Sequence, residues 1–238
     1  MDITFAKPSY PSAGALVTLA AEESGLTTTG TKLDRKTRGA LTRAMKTEKF
    51  TGKSGQFLAI LAPTGLRADR VILVGVGKGK AFDSVSAEKL GGLVIGKLKS
   101  LGASNAALAI EAIPGSALGI SDIAAHMAYG ASLRGYRFDR YKTRRARTSS
   151  ARFRKLTIMT ADPSKARSAY KPLAGIANGV FLTRDLVSEP ANILSPIELA
   201  DRAKGLREDN VKVEVLTPAK MRELGMGALL GVAQGSAR

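Results

Sequence analysis

The sequence predicts an α/β fold, and three observations predict it. Apolar runs of strand length, bounded by Gly, Pro or charge, recur along the first half, as in Phe57-Leu58-Ala59-Ile60-Leu61 and Val71-Ile72-Leu73-Val74. Such runs mark strands buried on both faces. Segments with apolar residues at helical spacing alternate with them, the rhythm of a sheet covered by helices. Finally, the 238 residues are 44% hydrophobic and 24% charged, which supplies enough apolar surface to offset the entropy of ordering a chain of this length.

Taken in order, residues 3–7 and 15–19 read as short strands, and 34–47 as a helix with Leu41, Ala44 and Met45 on one side. The strands at 57–61 and 71–74 follow. Residues 84–101 read as a helix in which Leu90, Leu93, Val94, Leu98 and Leu101 recur at helical spacing with lysines between them. A strand is expected at 106–110, then a helix through Ile123, Met127 and Leu133 with Ser121 or Ser116 as its cap. Beyond a strand at 156–159, residues 164–187 form a long helical pattern with Pro172 as a break or kink near its start. Pro190 ends it, because the proline lacks a backbone donor and restricts the residue before it. Ser195-Pro196-Ile197-Glu198 joins a capping residue, a proline at the first helical position and an acid in the first turn, a helix start. Val211-Lys212-Val213-Glu214-Val215 alternates like a half-exposed strand, and Thr217-Pro218 opens a short helix ending at Gly225. There is no internal repeat. Two domains are expected, 1–150 and 151–238.

Composition excludes several chemistries. There is no Cys, so no disulfide, cysteine-ligated zinc, iron–sulfur cluster or thiol nucleophile can form within the chain. His126 is the single histidine, which rules out a zinc site built on paired histidines. No apolar run approaches the ~20 residues of a membrane-spanning helix, and the start, Met1-Asp2-Ile3-Thr4-Phe5, is acidic and strand-like where a signal peptide would be basic and then apolar. A cytoplasmic location is expected.

The formal net charge is +17. More than half of that excess falls in residues 134–155, where ten basic residues stand against Asp139 alone. Tyr136, Phe138, Tyr141 and Phe153 are interleaved with these cations, a composition suited to tracking a phosphate backbone and stacking bases. The candidate nucleic-acid residues are Arg137, Arg140, Lys142, Arg144, Arg145 and Arg147. The same stretch suits a solvated connector or a surface for an acidic partner, with the aromatics anchoring it to the core.

Other motifs are weaker. Gly75-Val76-Gly77-Lys78-Gly79-Lys80 follows an apolar strand and invites a phosphate-binding reading, but it lacks the final glycine of G-x-G-x-x-G and the spacing of a P-loop. Gly52-Lys53-Ser54 has the P-loop ending without its first glycine. A glycine turn leaving a strand accounts for both. His126, set mid-helix among Ala, Met and Tyr, reads as a packed structural histidine. Glu198 with Asp201 reads as a solvated helix face.

Toward the C-terminus the order and spacing of Arg184-Asp185-Leu186-Val187, Pro190-Ala191-Asn192, Ser195-Pro196-Ile197-Glu198-Leu199-Ala200, Val213-Glu214-Val215-Leu216, Leu224-Gly225-Met226-Gly227-Ala228-Leu229-Leu230 and Gln234-Gly235-Ser236 resemble the cytosol leucyl aminopeptidase family. Upstream, Val71 to Lys78 and Tyr136 to Lys142 look like equivalent points of that family's N-terminal domain. The resemblance implies a macro-domain-like N-terminal domain with a mixed sheet flanked by helices. The first βα segment of an α/β peptidase domain would follow it. It also implies a cytoplasmic, usually hexameric exopeptidase that releases N-terminal amino acids from peptides. Two divalent ions, manganese, zinc or magnesium, would activate a water and polarise the scissile carbonyl, with a lysine and an arginine assisting.

The family's K-x-x-x-x-D-S-G-G and N-T-D-A-E-G-R motifs lie downstream of the matching segment, so the resemblance carries no catalytic or metal-binding residue onto this chain. The 238 residues are therefore expected to be inactive alone and to bind no metal pair. Lys78 and Asp83 imitate the first motif, but Val85-Ser86 replace its glycine pair, and Asp83 or Ser84 reads better as a helix cap. The alternative expectation is a noncatalytic protein for nucleic-acid binding or assembly. A third is a nucleotide or ADP-ribose ligand at the glycine turn.

Overall fold

The computed structural model describes residues 1–143 and 153–235. Seven strands form one mixed sheet: β1 (Asp2–Ala6), β2 (Ala15–Ala21), β3 (Gly25–Leu26), β4 (Phe57–Leu61), β5 (Arg70–Gly77), β6 (Asn105–Ala109) and β7 (Lys155–Met159). They lie in the order β1-β7-β6-β2-β5-β4, with β3 turned back onto the end of β2. All neighbours are parallel except β4 against β5 and β3 against β2.

Strand alternation sorts the core into two layers. On β2, Ala15, Val17, Leu19 and Ala21 point to one face, with Ile72 and Val74 of β5, Leu108 of β6, and Leu156 and Ile158 of β7. Two long helices cover this face, α3 (Ser84–Ser100) through Leu90, Val94, Ile95 and Leu98, and α4 (Ile120–Gly135) through Ile123, Met127 and Ala131. The opposite face collects Leu16, Val71, Ala107, Ala109 and Met159 under α1 (Thr28–Lys36) and α2 (Ala40–Thr47), which insert Leu33 and Leu41. The central strands are thus buried on both sides, which is why they read as continuous apolar runs.

The two covering helices meet through glycine. A Cβ on Gly130 would lie 1.8 Å from the Glu88 carbonyl oxygen, and one on Gly91 would lie 2.1 Å from that of Met127. Only residues without a side chain permit this backbone approach.

Several elements differ from their sequence-predicted form. The single helix expected over 34–47 is two, because Arg38 and Gly39 take left-handed φ values of 54° and 78°. The first of them starts earlier, at Thr28, where the Thr27 hydroxyl accepts from Gly30 N–H and the Glu111 carboxylate accepts from Thr29 N–H at 2.9 and 3.1 Å. Neither expected serine caps α4; Gly119 precedes it, and Ser116 instead donates to the Phe82 carbonyl at 2.8 Å.

By its packing the chain divides into Met1–Phe181 and Leu182–Arg238. β7, which the sequence reading set with the C-terminal part, is an internal strand of the first unit's sheet, hydrogen-bonded to β1 and β6. The helix α5 (Pro163–Ser188) crosses the division and continues through Pro172. The second unit holds α6 (Pro196–Gly205), α7 (Pro218–Glu223) and α8 (Gly227–Ala233), none of which contains a buried residue. At the start of α6 the Glu198 carboxylate accepts from both the Ser195 backbone N–H and its hydroxyl, and Pro196 fills the first position, as expected. The segment 211–215 forms no strand, since no described strand pairs with it to complete a ladder.

Candidate functional site

Of the basic stretch, residues 137–143 follow α4 as a largely exposed loop. Asp139 gathers two of the candidate nucleic-acid residues: Arg137 Nε lies 2.9 Å from one carboxylate oxygen and Lys142 Nζ lies 2.7 Å from the other. The hydrogen bond from Lys142, aided by the Arg137 charge, holds the Asp139 carboxyl below its ordinary range. Arg140 is exposed. Arg144, Arg145 and Arg147 lie outside the described residues.

The aromatic residues of the stretch divide by role. Tyr136 stacks on Phe181 with ring centroids 5.6 Å apart and planes 15° from parallel, and Phe153 is buried in the core. These two anchor the segment to the sheet unit. Phe138 and Tyr141 pack on each other at 5.8 Å, and Tyr141 remains exposed.

Lys89, Lys97 and Arg134, which the sequence reading did not group, lie together beside α3 and α4, with Lys99 next to Arg134. Lys99 donates to the Arg134 carbonyl at 3.0 Å. Burial, with the nearby Arg134 and Arg137 charges, lowers the Lys99 pKa. A groove of about 670 Å³ runs beside them, lined by Phe57, Leu93, Gly92, Gly96, Lys89, Lys97, Ser100 and Arg134. Its signal in the sequence is the set of lysines interleaved through α3. The contribution of Arg134, 35 residues beyond Lys99, arises only from helix packing.

The glycine turn after β5 is filled by the chain itself. A Cβ on Gly75 would meet the Lys53 carbonyl oxygen at 2.1 Å, and one on Gly79 would meet that of Pro114 at 1.8 Å. The amides of Gly75 and Gly77 donate to the Gln56 and Gly52 carbonyls. These glycines let backbone pass backbone, and the described geometry favours that role over cradling a phosphate.

The metal decoy and the lone histidine are likewise engaged. Asp83 caps α3, its carboxylate accepting from Ser86 N–H at 2.8 Å. His126 Nδ1 lies 2.8 Å from Glu88 Oε1 across the α3–α4 crossing. Among the described residues no three His, Asp or Glu side chains converge as a metal-binding group. No described helix is long and apolar enough to cross a membrane.

Comparison with known proteins places these features. Residues 16–145 match the model for the N-terminal domain of the cytosol aminopeptidase family, and residues 181–238 match the model for its catalytic domain. The probable cytosol aminopeptidase of Nitrobacter winogradskyi is 44% identical over 237 residues, covering 99% of this chain and 47% of that protein. That of Caulobacter vibrioides is 42% identical, covering 94% of this chain and 44% of that protein. Among solved structures, a mutant of tomato leucine aminopeptidase aligns with a TM-score of 0.77 at 28% identity, over 98% of this chain and 48% of that one. The bottromycin maturation enzyme BotP in complex with Mn shares the fold, with a TM-score of 0.71 at 22% identity, over 94% of this chain and 43% of that one. The chain spans about half the length of the curated relatives it matches. The mixed seven-stranded sheet flanked by helices is the architecture of the N-terminal region of leucine aminopeptidase, and the chain belongs to the cytosol aminopeptidase family.

Proposed function

We propose that this chain serves as the N-terminal part of a leucyl aminopeptidase-like exopeptidase that releases N-terminal amino acids from peptides. The observation that carries this reading is the succession, along one chain, of the family's N-terminal domain and the beginning of its catalytic domain. The exposed apolar residues of the second unit support it. Val187, Ile197, Leu224, Leu229 and Val232 are all more than half exposed, as expected of helices that pack against further catalytic-domain structure.

A pair of divalent ions, manganese, zinc or magnesium, belongs to this reading for the assembled enzyme, where such ions activate water and polarise a carbonyl. The described residues do not fit the pair: Asp83 is a helix cap, Glu88 is held by His126, and no third ligand joins either. No chemical step is therefore assigned to them, and the sheet unit acts as scaffold. A hexameric assembly and a cytoplasmic location complete the proposal.

The test compares two samples. The protein isolated from its source cells should have an intact mass well above 25.0 kDa and hydrolyse leucyl amides in a chelator-sensitive way, while the purified 238-residue chain should not. Chelator-sensitive turnover by the 238-residue chain alone, or an inactive 25.0 kDa protein in the cells, would overturn the reading.

The charge favours a second reading, with nucleic acid bound by residues 134–155, where Arg137 and Lys142 are described and exposed. Affinity should then fall steeply with salt and be lost when Arg144, Arg145 and Arg147 are changed to Glu. Binding that survives this reversal removes the idea.

A further inference from the structure

The outer face of α3 carries positive charge that no ion pair among the described residues neutralises. Lys89 and Lys97 lie on the groove's rim, two turns apart along the helix, and Arg134 closes it from α4. No acidic side chain is recorded within ion-pair distance of these three among the described residues. Of the neighbouring acids, Glu88 is engaged with His126 and Asp139 with Arg137 and Lys142, while Asp83, held by the Ser86 amide, offsets Lys89 only at a distance. Like charges gathered this way repel one another, and an external anion relieves that repulsion.

The groove is more than a charged patch. Its wall is apolar, formed by Phe57 and by Leu93, which is 50% exposed. Its floor is α3 at Gly92 and Gly96, over which Arg134 lies in van der Waals contact, its Nε 3.6 Å from the position of a Cβ added at Gly96. The small residues beneath let the Arg134 side chain lie along the groove, the apolar wall takes one side chain, and the cations around it take carboxylates. A nucleic-acid strand would call for a continuous cationic track with stacking rings. Here the cations surround a short apolar recess with a single aromatic ring.

We propose that this groove is a docking surface for an acidic peptide segment of a partner protein, one that places an apolar side chain against Phe57 and Leu93 and carboxylates against Lys89, Lys97 and Arg134. The proposal is independent of the peptidase reading, since all its residues lie in the sheet unit.

The test uses fluorescence anisotropy on the full chain with three labelled probes: a glutamate-rich peptide carrying one central leucine, the same peptide with serine in place of leucine, and a single-stranded oligonucleotide of equal charge. The leucine peptide should bind tightest. Lys97→Glu with Arg134→Glu should weaken it by about tenfold, and Leu93→Ser should erase its advantage over the serine peptide. All three positions are on the surface, and unchanged melting of the variants shows that their fold is intact. Equal binding of the two peptides, tighter oligonucleotide binding that depends on Lys97 and Arg134, or leucine-peptide binding unchanged by the double reversal would each overturn the proposal.

Discussion

Replacing Gly130 with Ala adds one methyl group where α4 crosses α3. The new Cβ would sit 1.8 Å from the Glu88 carbonyl oxygen and 2.6 Å from its carbon, both backbone atoms that cannot rotate aside. The helices must move apart by roughly 1.5–2 Å to restore normal contact, loosening Val94, Ile95, Met127 and Ala131 behind the crossing. Overpacking of this kind costs about 3 kcal/mol, while the exchange of Gly for Ala within a helix returns about 1 kcal/mol. The net loss of about 2 kcal/mol corresponds to a melting temperature lower by about 4–8 °C for a chain of this size. Gly175, in α5, is the control, because an added Cβ there meets nothing within 4 Å. Gly175→Ala should stabilise by about 0.5–1 kcal/mol. Urea and thermal unfolding followed by circular dichroism measure both. A Gly130→Ala protein as stable as its parent would refute the crossing geometry.

Other expectations follow from single contacts. The Glu88–His126 pair is partly exposed, at 30% and 24% for the two side chains, so a double-mutant cycle with Glu88→Gln and His126→Gln should give a coupling of about 0.5 kcal/mol; a value several times larger would mean a buried pair. Hydrogen bonds from Ser86 hold the Asp83 carboxyl below its ordinary value of 3.8. Its contribution to stability is therefore complete above that pH and is lost as the pH falls through the depressed value. Asp83→Asn, compared with the parent in acid titrations, should lack this component; identical acid profiles would contradict it. Amides at residues 211–215, which lie in no ladder, should exchange with deuterium far faster than those of β2, as mass spectrometry can follow.

The strands of the first unit were legible because burial on both faces writes itself as an apolar run. β5 and β7 appear where Val71 to Val74 and Leu156 to Met159 announced them. The break between α1 and α2 was not legible, since it depends on Arg38 in a left-handed conformation that arginine seldom adopts. Residues 211–215 show the converse. Their alternation describes a strand correctly as a pattern, yet a strand exists only with a neighbour, and none is described. For the candidate sites, charge marked residues 134–155, but it gave no means of separating Tyr136 and Phe153, which pack, from Phe138 and Tyr141, which pair in the exposed loop. The groove on α3 was hidden for a simpler reason: its rim joins two helices, and sequence spacing measures only one at a time.

The second unit offers the sharpest contrast between pattern and environment. Leu229 and Val232 in α8 look like core residues by type, but they are 52% and 83% exposed, whereas Leu98 in α3 is fully buried. Side-chain chemistry alone would assign all three a similar worth; the structure does not. Changing Leu229 and Val232 to Ser should alter stability by no more than about 0.5 kcal/mol each, as for other surface positions. Leu98→Ala should cost about 2–5 kcal/mol. The same two serine changes remove exposed apolar area, so light scattering from concentrated solutions should fall. A loss of stability from Leu229→Ser comparable to that of Leu98→Ala would mean that α8 is already packed in this chain. The support that exposed helices lend to a larger catalytic domain would then disappear, leaving the family resemblance to carry that reading alone.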